Sequence, residues 1–151
     1  MCWSLSGWGP MPKVTLSGLD ELILDMQAIA ELPDEIQDEM LNAQADIVVE
    51  AQKQAGHAMG VEDTGLTLRS IRKGKVKRSK EGTRVLYITP TGTRKRGKSK
   101  VRNAEIAFVN EYGDRDQKAR PFIRTGNESS AEQATEAAMR VYDRWLKSKN
   151  L

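Results

Sequence analysis

Apolar residues recur at helical spacing near both ends of the chain and at strand spacing in its middle. Leu19, Leu22, Ile23, Met26 and Ile29 lie three or four apart with Asp20, Glu21 and Asp25 elsewhere, which predicts an amphipathic helix capped by Ser17. Pro33 breaks it and opens a second helix: proline suits the first helical position, and Asp34 and Glu35 suit the positive end of the helix dipole. This helix is expected to reach about residue 56, with Ile36, Met40, Ala43, Ile47 and Ala51 as its seam, widened by Val48 and Ala55. Ala43, Ala45, Ala51 and Ala55 would allow close approach of a neighbour, and Gly56, Gly60 and Gly65 are expected to end the helix and open a loop. Residues 66–70 read as a short helical or irregular piece. Residues 71–78 are a strand candidate whose Ile71 and Val76 fall on opposite faces, so a bulge at Gly74 is expected to restore the register. Ser79, Lys80, Glu81 and Gly82 make a hairpin turn, and TRVLYIT at 83–89 is apolar on both faces, as in a central strand, until Pro90 ends it. The last helix is expected from Asn127 to about residue 149, burying Ala131, Ala134, Ala138, Val141 and Trp145, joined by Tyr142 and Leu146. Together these elements predict an α+β fold, a small antiparallel β-sheet flanked by two or three long α-helices.

Composition adds a preference for solvent and partners. The chain has 151 residues, enough for one domain with a core of its own, yet 38% are hydrophobic and 30% charged. Residues 1–12, rich in Gly, Ser and Pro, are expected to form a flexible arm, or one that docks Trp3 and Trp8 on a neighbouring subunit; residues 13–151 form the single domain. Cys2 is the only cysteine, which excludes an internal disulfide and fits a reducing cytoplasm. No signal-peptide pattern and no window of about 20 apolar residues is present, so a soluble protein with no membrane contact is expected. The formal charge of +3 conceals an asymmetry: residues 69–102 hold fourteen Lys or Arg and one acid, Glu81, leaving +13 there and −10 elsewhere. Within that segment TGTRKRGKSK, residues 91–100, has five cations and no apolar residue and is expected to be a flexible loop, with a weak strand starting at Val101 or Arg102.

Residues 103–126, NAEIAFVNEYGDRDQKARPFIRTG, combine several local signals. Ile106, Val109 and Gly113 share a helical face with Ala104, Phe108 and Tyr112 beside it, and Gly113 takes the left-handed conformation that stops a helix. Asp114 to Gln117 make a polar turn. Arg120, preceding a proline, is expected to be extended, so that residues 119–122 form a connector pinned by the Phe122 ring, with Thr125 and Asn127 as caps of the last helix and Glu128 completing a capping box.

That order of residues, Ala107, Glu111, Tyr112, Gly113, then Ala119, Arg120, Pro121, Phe122 and Ile123, with Thr64, Gly65 and Leu66 upstream, resembles the tail-component, or tail-completion, family of long-tailed bacteriophages over roughly residues 18–146. The resemblance implies a structural virion protein of the tail or neck, assembled in the host bacterial cytoplasm. It implies no cofactor and no enzymatic activity, and a homo-oligomeric ring, hexameric, next to the tail terminator, the tail tube and neck or connector proteins. Within that reading Pro121, Phe122 and Ile123 anchor the connector in the subunit's own core, and Tyr112 packs beside them with its hydroxyl at the edge. Glu111 and Arg120 are candidates for inter-subunit contacts, or for an ion pair within the chain.

Candidate chemistry is sparse. His57 is the only histidine and has no metal-ligand neighbours in sequence, so a helix cap or a solvated group is expected. Gly92, Gly97, Lys98 and Ser99 satisfy the spacing of a phosphate-binding loop, but no long helix follows directly and too little chain remains for a doubly wound domain, so no nucleotide site is expected. The basic segment is the stronger candidate. Arg94, Lys95, Arg96, Lys98, Lys100 and Arg102, with Arg69, Arg72, Lys73, Lys75, Lys77 and Arg78, could track the phosphates of DNA, which makes a non-specific nucleic-acid-binding protein the alternative. Tyr87 is the only aromatic residue within the segment, thin support for base stacking; a basic surface meeting acidic flanks of a neighbouring subunit is equally consistent.

Overall fold

The computed structural model describes residues 32–61 and 65–150. The chain divides into two compact units, Met1–Leu32 and Pro33–Leu151, and all described helices and strands belong to the second. The first expected helix, the arm with Cys2, and Thr64 lie outside the described residues. The fold is α+β. Helix α1 (Asp34–Ala58) leads through the single-turn α2 (Leu66–Arg69) into β1 (Ile71–Lys73), β2 (Lys77–Arg78), β3 (Arg84–Val85), β4 (Ile88–Pro90), β5 (Thr93–Arg96) and β6 (Ser99–Arg102), then α3 (Asn103–Tyr112) and α4 (Phe122–Ser148).

The two long helices run antiparallel: Gln52 donates from Nε2 to Asn127 Oδ1 at 2.8 Å near one end, and Arg144 meets Glu39 at 3.1 Å near the other. The α4 seam follows the expected spacing through Ala134, Ala138, Val141 and Trp145, but its upper part is Gly126 and Ser130, and Ala131 is exposed. The α1 seam also differs. Ala45, Val49, Gln52 and Gly56 are buried, while Ile36, Met40, Ala43, Ile47 and Ala51, with Val48 and Ala55, are only half-buried. The reason is a close approach: a Cβ on Gly126 would lie 2.6 Å from the Cα of Gln52, so α4 seats its smallest residue against the α1 backbone and the larger side chains flank that line. Gly56 likewise does not end α1. It lies under Leu68, where a Cβ would meet Cδ2 at 2.3 Å, and the helix continues to Ala58. Val49, Val61, Leu68, Ile71, Ala107 and Phe122 form the core, with Ala55, Met59, Ile88 and Ile123 packed on it.

In place of one sheet, the described residues form three antiparallel two-stranded ladders, β1 with β4, β2 with β3, and β5 with β6. The first two make one broken hairpin arm around the turn at Ser79 to Gly82, where the Ser79 N–H reaches Thr83 O at 2.7 Å. Gly74 marks the break, as expected of a bulge, and donates to Tyr87 O at 2.7 Å. The strand expected at the centre of a sheet is therefore two short pieces of a ribbon. Val85, Leu86 and Ile88 are half-buried while Tyr87 stays outside, 64% exposed. Among the described residues no helix is long and apolar enough to cross a membrane.

Candidate functional site: a basic hairpin on a capped junction

The stretch that resembles the phage family folds into one junction. Gly113 has φ of 78°, and a Cβ there would lie 2.8 Å from both Ala119 N and Gln117 O, so the turn closes only around glycine. Asp114 Oδ1 accepts the N–H groups of Asp116 at 2.9 Å and Gln117 at 2.7 Å, and Gln117 Nε2 returns to Asn110 Oδ1 at 2.9 Å. Phe122, fully buried, is the anchor expected of it, and Ile123 packs on the core. The connector is shorter than expected, however. Helix α4 begins at Phe122 and not at Asn127, and Thr125 donates its N–H to Pro121 O inside the first turn and does not cap the helix.

The cap comes from the neighbouring helix. Glu111, 6% exposed, accepts the N–H of Ile123 at Oε2 (2.8 Å) and that of Arg124 at Oε1 (3.0 Å), placing a carboxylate at the positive end of α4. Arg120 donates its backbone N–H to Asn110 O at 2.6 Å and its Nη1 to Gly60 O at 2.7 Å. Glu111 and Arg120 are thus both engaged within the chain, and not with each other. Tyr112 departs from its expected place. The buried face of α3 is Asn103, Ala107, Asn110 and Glu111, so Tyr112 and Phe108 point outward, 61% and 63% exposed, with ring centroids 4.7 Å apart. The apolar spacing of α3 pointed to the wrong side because its core side is held by polar groups that have hydrogen bonds to make.

Residues 91–100 are not an unstructured loop. Thr93, Arg94, Lys95 and Arg96 pair with Arg102, Val101, Lys100 and Ser99, and Gly97, with φ of 63°, supplies the turn beside Lys98. Apolar alternation could not reveal this hairpin, because its ladder is backbone and its inner face is a half-buried arginine opposite a half-buried valine, Arg94 and Val101. The hairpin is tied down at its base: Asn103 donates its N–H to Gly92 O at 3.0 Å and its Nδ2 to Thr91 O at 2.7 Å, and Arg94 reaches Thr67 Oγ1 at 3.2 Å. Lys98 is thus followed directly by strand β6 and not by a helix, so the phosphate-loop spacing does not produce a phosphate loop.

Directly opposed residues of an antiparallel pair share a face, so Thr93, Lys95, Lys100 and Arg102 form the outer side of the hairpin, all exposed. Arg102 is 3.9 Å from Glu105; Lys95, Lys98 and Lys100 have no ion-pair partner among the described residues. Lys95 and Lys100 stand opposite one another, an arrangement that repels. Arg96 lies on the other side and, with Val101, Glu105, Ile106, Val109 and Asp116, lines a cleft of about 380 Å³ between the hairpin and α3.

Several cations of the broken arm are instead neutralised by α1. Lys73 meets Asp46 at 2.7 Å, Arg78 meets Asp34 at 2.6 Å, and Arg84 holds Asp38 through two hydrogen bonds, that from Nε being 2.7 Å. The bond to Asp38, reinforced by Asp34 and Glu35, holds the Arg84 guanidinium above its usual range. These acids were missed as partners in the sequence, though Asp34 and Asp38, four apart, share a helix face. Among the described residues no group of three or more His, Cys, Asp or Glu is placed to hold a metal ion. Compared with family models, with curated proteins and with solved structures, the chain matches none.

Proposed function

We propose that the chain is a structural virion protein, a tail-completion or head–tail joining subunit that assembles as a ring at the head-proximal end of a phage tail. The observation that carries this reading is convergence. Ala107, Glu111, Gly113, Arg120, Pro121, Phe122 and Ile123, which carry the resemblance, meet at one joint where α3 caps α4 and both close on the core. Such a joint sets the angle of a frame, and a signature concentrated there is what a subunit selected for shape would keep. The outward hairpin and the exposed Phe108 and Tyr112 then supply surface for neighbours: an aromatic pair and a cationic rim are common parts of protein interfaces.

The reading is tested by light scattering and negative-stain imaging of the purified full chain, alone and with tail terminator and tube proteins, and by probing finished tails for it. Rings or incorporation at one tail end are expected; a chain that enters neither rings nor tails overturns the proposal. Non-specific nucleic-acid binding is the second reading, favoured by the unpaired Lys95, Lys98 and Lys100. It requires duplex affinity that falls steeply with salt and is lost when those lysines become serine.

A further inference from the structure

Two rows of like charge face away from the body of this subunit, and most of their members find no ion-pair partner among the described residues. One lies on the β5–β6 hairpin: Lys95 and Lys100 side by side, and Lys98 at the turn. The other lies on α4. Its buried residues, Gly126, Ser130, Ala134, Ala138, Val141 and Trp145, define the inner side, which leaves Glu128, Glu132, Glu136 and Asp143 on the outer side around Met139, 49% exposed. Glu128 and Glu132 have no ion pair among the described residues, and Glu136 has only Arg140 at 3.9 Å. Each row repels itself, the glutamates at four-residue spacing and the lysines across the ladder.

We propose that these rows are the two halves of one contact: the outer face of the β5–β6 hairpin docks on the outer stripe of α4 in a second copy of this chain. The inference rests on the assembly reading and names the faces that would join. Spacing supports it. Successive glutamates are separated by about 6 Å of helix rise, four residues at 1.5 Å, and the turn lysine lies beyond the opposed pair along the hairpin, so both faces present a row of charges and not a single one. The exposed Met139, between Glu136 and Asp143, offers apolar surface to the lysine stems. Nucleic acid would account for the lysines but leave the matching glutamate row without a role. Because the two faces are different patches of one subunit, their contact is heterologous and adds copies head to tail, the geometry that closes into rings.

A charge swap tests it. In the full chain, Lys95→Glu, Lys98→Glu and Lys100→Glu together, or Glu128→Lys, Glu132→Lys and Glu136→Lys together, replace only exposed residues, and each set is expected to weaken self-association in sedimentation runs about a hundredfold while leaving the melting temperature unchanged. Mixing the two variants is expected to restore association, since each then offers a face complementary to the other. Wild-type association that persists in both variants places the contact elsewhere and overturns this inference while the assembly reading stands. Wild-type chain that stays monomeric at low salt, with the lysines needed only for duplex binding, also overturns it. In that case, incorporation into tails separately decides the assembly reading.

Discussion

At the scale of single residues, the junction depends on one carboxylate. Glu111 is buried and both of its oxygens serve N–H groups at the start of α4, so Glu111→Ala removes a charge-assisted cap and leaves two donors unpaired at a partly buried helix end. We expect a loss of about 1–3 kcal/mol in urea unfolding, and about half of that for Glu111→Gln, which keeps an acceptor. Equal losses would mean that both carboxylate oxygens and the charge are needed; no loss in Glu111→Gln would mean that volume, and not the bonds, matters. Phe122→Ala should cost more, about 3–5 kcal/mol, because a fully buried ring leaves a cavity at the meeting point of α1, α2 and α3. Gly126→Ala sets two effects against each other. Alanine gains about 1 kcal/mol of helix propensity, but its Cβ would sit 2.6 Å and 2.7 Å from the Gln52 Cα and N, backbone atoms that cannot turn aside. Separation of the two helices wins, and the melting temperature is expected to fall; a rise would show that α4 can shift without loss.

At the scale of elements, what the sequence disclosed depended on whether an element announces itself through apolar period. Helices α1, α3 and α4 did, and the helical spacing placed their spans within a few residues except for the start of α4, whose cap is supplied from Glu111 across a turn rather than by its own Thr125. Faces were harder. Glycine and polar residues carry the inner line of α1 and α3, through Gln52, Gly56, Asn103, Asn110 and Glu111, and a count of apolar positions passes over them. The candidate site was legible as charge but not as shape, since β5 and β6 pair through backbone in a stretch with hardly any apolar residue. That construction makes the hairpin the element most sensitive to salt. Raising salt screens the Lys95–Lys100 repulsion, while the exposed Arg102–Glu105 contact it weakens is worth about 0–1 kcal/mol at most. Amide exchange at Arg94 to Val101 should therefore slow between low and high salt, with protection in α1 and α4 unchanged. Faster exchange would mean that the ion pair, not the repulsion, dominates.

At the scale of the whole molecule, the charge asymmetry of the sequence becomes a division of labour. The acids of α1 absorb the cations nearest to them, Lys73, Arg78 and Arg84, whereas Lys95, Lys98 and Lys100 of the hairpin remain outward. The basic field is thus smaller than the charge of residues 69–102 suggests, and α1 sets how much of it is shown. Acidity does not test this, because a guanidinium held above its usual range contributes its stabilisation at every pH below that range and loses none of it near neutrality. Substitution does. Asp34→Asn with Asp38→Asn leaves Arg78 and Arg84 without these carboxylates. With duplex DNA as a probe of outward charge, the plot of log affinity against log salt should steepen by about two, one for each released cation. An unchanged slope would show that the freed arginines lie back on the α1 surface, and that the outward field belongs to the hairpin alone.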